Sequence, residues 1–287
     1  MTHVLTLIAA DGASLNSAEL ASSFGAAQWQ WLDESVAADF FFDQPPVLAT
    51  YRDRLDAARI DTILQPVAGR EKRLLISDMD STMIAQECID ELADCVGLKP
   101  QVAAITERAM NGELDFHTAL TERVALLKDL PETALAEVFA QRITLMPGAR
   151  TLVQTMRARG AYCLLVSGGF TFFTRRVAEA LGFHAEEANR LEITEGKLTG
   201  RVIAPILDKQ SKLTALQQTA AVQGCATEAV LALGDGANDL PMLLAAGLGV
   251  AYHAKPAVQQ AAQHRINHTD LRALLYAQAI PKSEWTA

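Results

Sequence analysis

The sequence predicts an α/β protein: a Rossmann-like parallel sheet with an inserted helical cap, preceded by a small α+β unit of ferredoxin-like order. Three observations predict it. Apolar runs at residues 73–77, 161–166 and 229–233 each stop abruptly at an acidic or glycine-bearing motif, as buried parallel strands do where their carboxyl ends open on a crevice. Between the first two runs the chain breaks into segments of helical period. The first 70 residues alternate strand and helix signals in the order βαββαβ.

Composition narrows the function classes. A chain of 287 residues, half of them hydrophobic, can bury a full core in one large domain with a smaller companion. A formal charge of −9 with no run of Lys or Arg argues against nucleic acid or an anionic membrane as the main partner. The amino terminus has no basic region, and its apolar run breaks at Asp11, so it reads as a first strand and not as a signal peptide. No apolar run reaches spanning length. The cysteines at 88, 95, 163 and 225 form no Cys-x-x-Cys pair, and the six histidines show no ligand spacing. Buried thiols in a reducing cytoplasm are expected.

Taken in order, residues 4–9 read as a strand. Residues 16–24 read as a helix capped by Asn16 or Ser17, and 28–33 and 36–42 as two more strands. Pro45-Pro46 opens a helix through residue 58, and 60–67 is a fourth strand. This order resembles the ferredoxin-like plan of ACT domains, so residues 1–70 are expected to be a regulatory or dimerising unit. Arg70-Glu71-Lys72-Arg73 marks its boundary with residues 71–287. Helical segments at 85–96, 101–110, 116–127 and 132–142 are punctuated by Gly97, Pro100, Gly112 and Pro131. Inserted directly after the first core strand, they suggest a cap over residues 85–146 that closes on the crevice and excludes water. Cys88 and Cys95, seven apart, read as core. Residues 190–194 and 197–203 flank Glu195-Gly196 as a hairpin near the mouth, and 248–252 and 265–267 supply further strands.

Chemistry concentrates at the strand ends. Asp78-Met79-Asp80-Ser81-Thr82 places two carboxylates where the first core strand turns. One can attack as a nucleophile while the other holds a proton and serves first as general acid, then as general base. Ser167-Gly168-Gly169 ends the second run with small residues that let backbone N–H groups approach an anion. Gly234-Asp235-Gly236-Ala237-Asn238-Asp239 is the most specific motif: glycines bracket a carboxylate in a tight loop suited to a hard, oxygen-loving cation such as Mg2+. Lys209 and Lys212 open a helix between these motifs, and either cation can answer the gathered negative charge. In the cap, Glu87 and Arg123 offer one charge of each sign. They suit the two ends of a zwitterionic ligand, but exposed charges are commonplace on helices, and taken alone the pair reads first as a solvated helix surface.

Together these motifs, with Glu87-Cys88-Ile89-Asp90-Glu91 and the run from Arg123 to Leu130, resemble in order the haloacid dehalogenase superfamily, and within it the phosphoserine phosphatase family. The resemblance covers residues 71 to about 276 and implies Mg2+-dependent hydrolysis of O-phospho-L-serine to L-serine and phosphate through an aspartyl-phosphate, the last step of L-serine biosynthesis. It implies Asp78 as nucleophile, Asp80 as acid and base, and Lys212 as the lysine on the phosphoryl group. It implies metal ligation by Asp78, the Asp80 backbone carbonyl, Asp235 and Asp239. Glu87 and Arg123 then hold the substrate's amino and carboxyl groups, Met110 and Phe116 close the cap, and Ser167, Gly168, Gly169 and Asn238 meet the phosphate. A cytoplasmic enzyme, possible as a homodimer, is the matching expectation. Rival readings are a phosphotransferase to an acceptor alcohol and an amino-acid-responsive regulator. A dehalogenase would need neither Asp80 nor Asp235.

Overall fold

The computed structural model describes residues 1–110 and 113–286, excepting the Met110 side chain. It begins with β1 (His3–Ala9), α1 (Ser17–Phe24), β2 (Gln28–Asp33), β3 (Ala37–Phe42), α2 (Arg52–Ala57) and β4 (Ile60–Pro66). Asn16 caps α1 by accepting the Glu19 N–H, and Gly25, in the left-handed region at φ 65°, ends the helix. The helix expected from Pro45 forms only a single 3-10 turn at Leu48–Thr50, followed by α2. Pro46 biases its predecessor toward extended backbone, and Val47 is itself extended. β1, β3 and β4 pair antiparallel in the order β2-β3-β1-β4, the ferredoxin-like arrangement. Leu5, Leu7, Leu20, Phe24, Phe40 and Leu55 fill the space between this sheet and its helices.

The second part starts with β5 (Leu74–Ser77), whose four residues are all buried. Four cap helices follow: α3 (Cys88–Cys95), α4 (Lys99–Met110), α5 (Phe116–Ala125) and α6 (Thr133–Arg142). α3 starts three residues later than its periodicity predicts, because the chain at 84–86 is used otherwise. Ile84 pairs antiparallel with Leu145, Ala85 donates to the Thr144 carbonyl at 3.0 Å, and Met146 donates to Met83 at 2.9 Å. Entrance and exit of the cap thus form one short two-stranded stem. Cys95 is exposed and Cys225 half-buried, against the expectation of four buried thiols; Cys95 is the last residue of α3, while Cys88 at its start packs inward.

The chain then returns through α7 (Ala149–Ala158), β6 (Tyr162–Phe170), α8 (Thr171–Leu181), β7 (Ala185–Thr194), β8 (Lys197–Ile203), α9 (Lys209–Val222), β9 (Val230–Gly234), α10 (Leu240–Ala245), β10 (Leu248–Tyr252), α11 (Pro256–Ala261), β11 (His264–Ile266) and α12 (Ala273–Ala277). The strands β11-β10-β9-β5-β6-β7 are parallel, and β8 turns back antiparallel along the far half of β7. Alternation along β5 serves two cores. Leu74 and Ile76 pack with Ala215, Leu216, Met242 and Leu243 on one face, and Leu75 with Leu152, Val153, Met156 and Phe173 on the other. β5 lies between β9 and β6, so the connections leave it in opposite directions and a crevice opens at its carboxyl end.

One sheet of eleven strands runs through both parts, joined where β4 meets β11 at Thr62 and Arg265. Arg70 is buried at this junction. It grips Asp39 of β3 with two bonds of 2.6 and 2.9 Å, donates to Thr6 at 3.0 Å and reaches the carbonyls of Tyr276 and Ala277. Removing one partner of such a buried pair costs ~3–5 kcal/mol, so the first unit is firmly seated.

Candidate active site

The crevice at the end of β5 is a cleft of about 1320 Å3 between the core and the cap, lined among others by Asp78, Asp80, Glu87, Phe116, Arg123, Gly168, Gly169, Asp235 and Asn238. Asp78 is placed by the sheet itself: its N–H donates to the Leu233 carbonyl of β9 at 3.0 Å. Its Oδ1 accepts the Met79 N–H at 2.8 Å and the Lys212 ammonium at 2.8 Å. The chain then turns tightly, with Met83 donating to Met79 at 2.8 Å and Ser81 forced to φ 54°. The turn brings Asp80 to the same mouth as Asp78.

Three carboxylates converge. Oxygens of Asp78, Asp235 and Asp239, all buried, lie within 4.8 Å of one another. Asp239 is drawn inward because its Oδ2 accepts the Gly236 N–H at 2.9 Å and its Oδ1 accepts Lys212 Nζ at 2.6 Å. Gly234 permits this approach, since a Cβ there would stand 2.3 Å from Asp239 Cγ. One lysine facing three acids leaves an excess of negative charge in a buried place. Burial, then the Asp239 charge, pushes the Asp78 carboxyl well above its ordinary range despite Lys212. Burial and Asp239 lift Asp235 to about 7. A hard divalent cation fits this donor set, because it relieves the repulsion with oxygen ligands.

Asp80 differs from its neighbours. Burial and the nearby Glu87 raise it to about 7, and its Oδ1 is buried with no hydrogen-bond partner. A carboxyl poised there exchanges a proton readily near neutrality. Lys212 is 2% exposed; burial works against its charge, but Asp239 and Asp78 outweigh that and hold the ammonium above its usual range. Lys209, the other candidate cation, is exposed at the first turn of α9.

The remaining expected residues are distributed between floor and roof. Ser167 is buried, its hydroxyl accepting the Gly169 N–H at 2.9 Å. Gly168 lies under the Phe116 ring, which a Cβ on Gly168 would meet at 3.3 Å. Asn238 sits at the rim of the Asp235 loop. Glu87 accepts from Ser81 Oγ at 2.7 Å, and Arg123 is tethered by its Nε to the Ala119 carbonyl at 3.2 Å. Both face the cleft, and among the described residues they are not paired with each other. The Met110 side chain, Asn111 and Gly112 lie outside the described residues. Three features escaped sequence reasoning. Lys255 lines the cleft and its N–H donates to the Asp235 carbonyl at 3.3 Å. His117 of the cap stands 3.7 Å from Asp208, the residue capping α9, across the mouth. Asn189, an amide in the middle of β7, is wholly buried beside the Ser-Gly-Gly turn. Only Asp208 carried a local signal, as a capping residue before a helical run.

Comparison with known proteins gives the family. Residues 75–244 match the model of the haloacid dehalogenase-like hydrolases. A phosphoserine phosphatase of Polaromonas sp. is 48% identical over 208 residues, covering 71% of this chain and 88% of that protein. The phosphoserine phosphatase SerB2 of Mycobacterium tuberculosis is 45% identical over 218 residues, 76% of this chain but only 53% of the longer relative. The crystal structure of a HAD family hydrolase from Salmonella enterica serovar Typhi superposes with a TM-score of 0.86 at 30% identity, covering 98% of this chain and 99% of that one.

Proposed function

The chain belongs to the haloacid dehalogenase-like hydrolases, and from that premise we propose that it is a phosphoserine phosphatase that hydrolyses O-phospho-L-serine with Mg2+. The observation that carries the substrate is the placing of Glu87 and Arg123 in the same cleft as the paired aspartates, one charge for the ammonium and one for the carboxylate. Identity of 48% to a phosphatase of that specificity supports the same reading.

In this reading Asp78 Oδ attacks phosphorus in line as the bond from phosphorus to the serine oxygen breaks, giving an aspartyl-phosphate. Asp80 donates its proton to the departing oxygen, for which its position near 7 suits it. Now ionised, Asp80 takes a proton from water, whose oxygen bonds to phosphorus and displaces Asp78, releasing inorganic phosphate. Lys212 balances the charge of Asp78 and the phosphoryl oxygens, while Ser167, Gly168, Gly169 and Asn238 orient them. Mg2+, held by the carboxylates of Asp78, Asp235 and Asp239 and the Asp80 carbonyl, would keep Asp78 ionised and offset phosphoryl charge. Phe116, against Gly168, roofs the site and limits water. Among the described residues no helix is long and apolar enough to cross a membrane, and we place the reaction in the cytoplasm. Residues 1–70, with their ferredoxin-like strand order, are taken as an ACT-like regulatory or dimerising unit on the 71–287 phosphatase.

Phosphate release from O-phospho-L-serine, O-phospho-L-threonine and p-nitrophenyl phosphate, each with Mg2+ or EDTA, tests the proposal. Mg2+-dependent turnover favouring phosphoserine is expected. Turnover of the nitrophenyl ester alone would retain the chemistry and discard the substrate.

A further inference from the structure

Asn189 lies where the sheet is irregular. β6 and β7 pair parallel from Leu164/Ala185 to Val166/Glu187 and again at Phe170/Asn189. From one pair to the next β6 advances by 170 − 166 = 4 residues and β7 by 189 − 187 = 2. The surplus on β6 is the Ser167-Gly168-Gly169 turn, pushed out of the ladder toward the cleft. Backbone groups displaced in this way lose their strand partners and must find others.

One side chain supplies them. Asn189 Nδ2 donates to the Gly168 carbonyl at 2.9 Å and to the Leu207 carbonyl at 3.4 Å, while its Oδ1 accepts the Leu207 N–H at 2.8 Å. Leu207 immediately precedes Asp208, which caps α9 through the N–H groups of Gln210 and Ser211. One turn further on, α9 delivers Lys212 to Asp78 and Asp239. A single buried amide therefore ties the turn beneath the cleft to the segment that positions the lysine.

The bond to Gly168 O also sets a direction. A trans peptide is planar, so its C=O and the following N–H point opposite ways. With the Gly168 carbonyl held back toward Asn189, the Gly169 N–H faces away from it, on the side where Ser167 Oγ receives it. Between two glycines the peptide is otherwise free to rotate as a unit, because neither neighbour has a Cβ to resist. A rotated peptide would present a carbonyl oxygen, and not an N–H, to an incoming phosphoryl group.

We propose that Asn189 is the positioning residue of the phosphate subsite: it fixes the Gly168–Gly169 peptide with its N–H toward the anion and locks that turn in register with Lys212. The inference rests on the phosphatase reading above. It makes the amide act through its neighbours, with no contact to substrate, and it predicts an effect confined to the phosphate half of the ligand.

The test uses the full-length enzyme and two variants. Asn189→Ala leaves room for a water, and Asn189→Leu keeps most of the volume with no polar atom. Inhibition of turnover by inorganic phosphate and by L-serine is measured for each, along with kcat and KM for phosphoserine. Leaving these half-buried carbonyls without the amide should weaken phosphate inhibition by about tenfold or more and lower kcat at least as far. Inhibition by L-serine should stay within about twofold, because Glu87 and Arg123 belong to the cap. Equal weakening of both inhibitors, or unchanged phosphate inhibition, would overturn the proposal. Failure of both variants to fold would also overturn it, by showing that the amide holds the sheet together and does not tune the site. Absence of turnover in the unmodified enzyme would instead remove the phosphatase reading beneath it, so the two failures are distinct.

Discussion

Replacing Lys212 by Met keeps the length of the side chain and removes its charge. The ammonium stands 2.8 Å from Asp78 Oδ1 and 2.6 Å from Asp239 Oδ1. At an effective dielectric of ~20, each contact is worth about 6 kcal/mol of gross attraction. Desolvation of the ammonium cancels much of that, and truncating one member of a buried ion group leaves a net loss of ~3–5 kcal/mol. In the proposed mechanism the same charge also faces the phosphoryl oxygens in the transition state, where loss of one preorganised partner costs ~3–4 kcal/mol, or ~10²–10³ in kcat. Steady-state phosphate release at saturating Mg2+ and phosphoserine measures the catalytic part, and urea unfolding in EDTA the structural part. Lys212→Met should be slower by at least ~10² and markedly less stable without metal, with Mg2+ recovering stability more than turnover. The exposed Lys209→Met should lose far less of either. A Lys212→Met enzyme within tenfold of the unmodified rate would refute the assignment of this lysine to phosphoryl charge.

Asp78→Asn should fold and abolish turnover, because the amide cannot form the aspartyl-phosphate; multiple-turnover phosphate release from it would exclude Asp78 as nucleophile. Arg123→Ala should raise KM for phosphoserine by ~10- to 10²-fold through loss of a charge-assisted bond, yet spare p-nitrophenyl phosphate; equal losses on both would argue against a carboxylate clamp. The metal-free protein should lose stability as pH rises. Asp80 and Asp235 titrate near 7 when folded and near 3.8 when unfolded, so between those values the native state holds protons that the unfolded chain has released. Their contribution therefore favours folding below about pH 4 relative to pH 7 and is level above. Mg2+ needs the ionised carboxylates and should raise Tm more at pH 8 than at pH 5.5; the opposite order in calorimetry would contradict the clustering of acids as the cause.

Much of the site is local in the chain and was legible for that reason. Asp78 and Asp80 follow a buried strand directly, and the Gly234 to Asp239 loop carries its own glycines and acids, so residue type and spacing alone define the chemistry. The parallel core was equally readable, since runs such as Leu74 to Ser77 are apolar on both faces and only a doubly covered strand is so. The failures were equally physical. Pro45-Pro46 looks like a helix start, but the helix forms only where Leu55 finds a core to pack against. Cys95 follows Cys88 by seven residues and so lies on nearly the same face of α3, yet it is the last residue of that helix and is exposed.

Sequence by itself determined which carboxylates act together and which strands form the floor beneath them, because those relations are carried by neighbours along the backbone. The family resemblance pointed to Lys212 over Lys209, and the tertiary structure supplies the physical reason, with Lys212 buried against Asp78 and Asp239 and Lys209 exposed. Three positions along a helix leave two side chains only about 60° apart, so the helical period does not separate them, and packing against β5 and β9 says which direction is inward. Only the structure gave Arg70 and Asn189 their places. A polar side chain is buried when distant backbone and charged groups need its donors, and those partners, Asp39 and the 276–277 carbonyls for Arg70, Gly168 and Leu207 for Asn189, are set by the folded sheet and leave no mark in the local sequence.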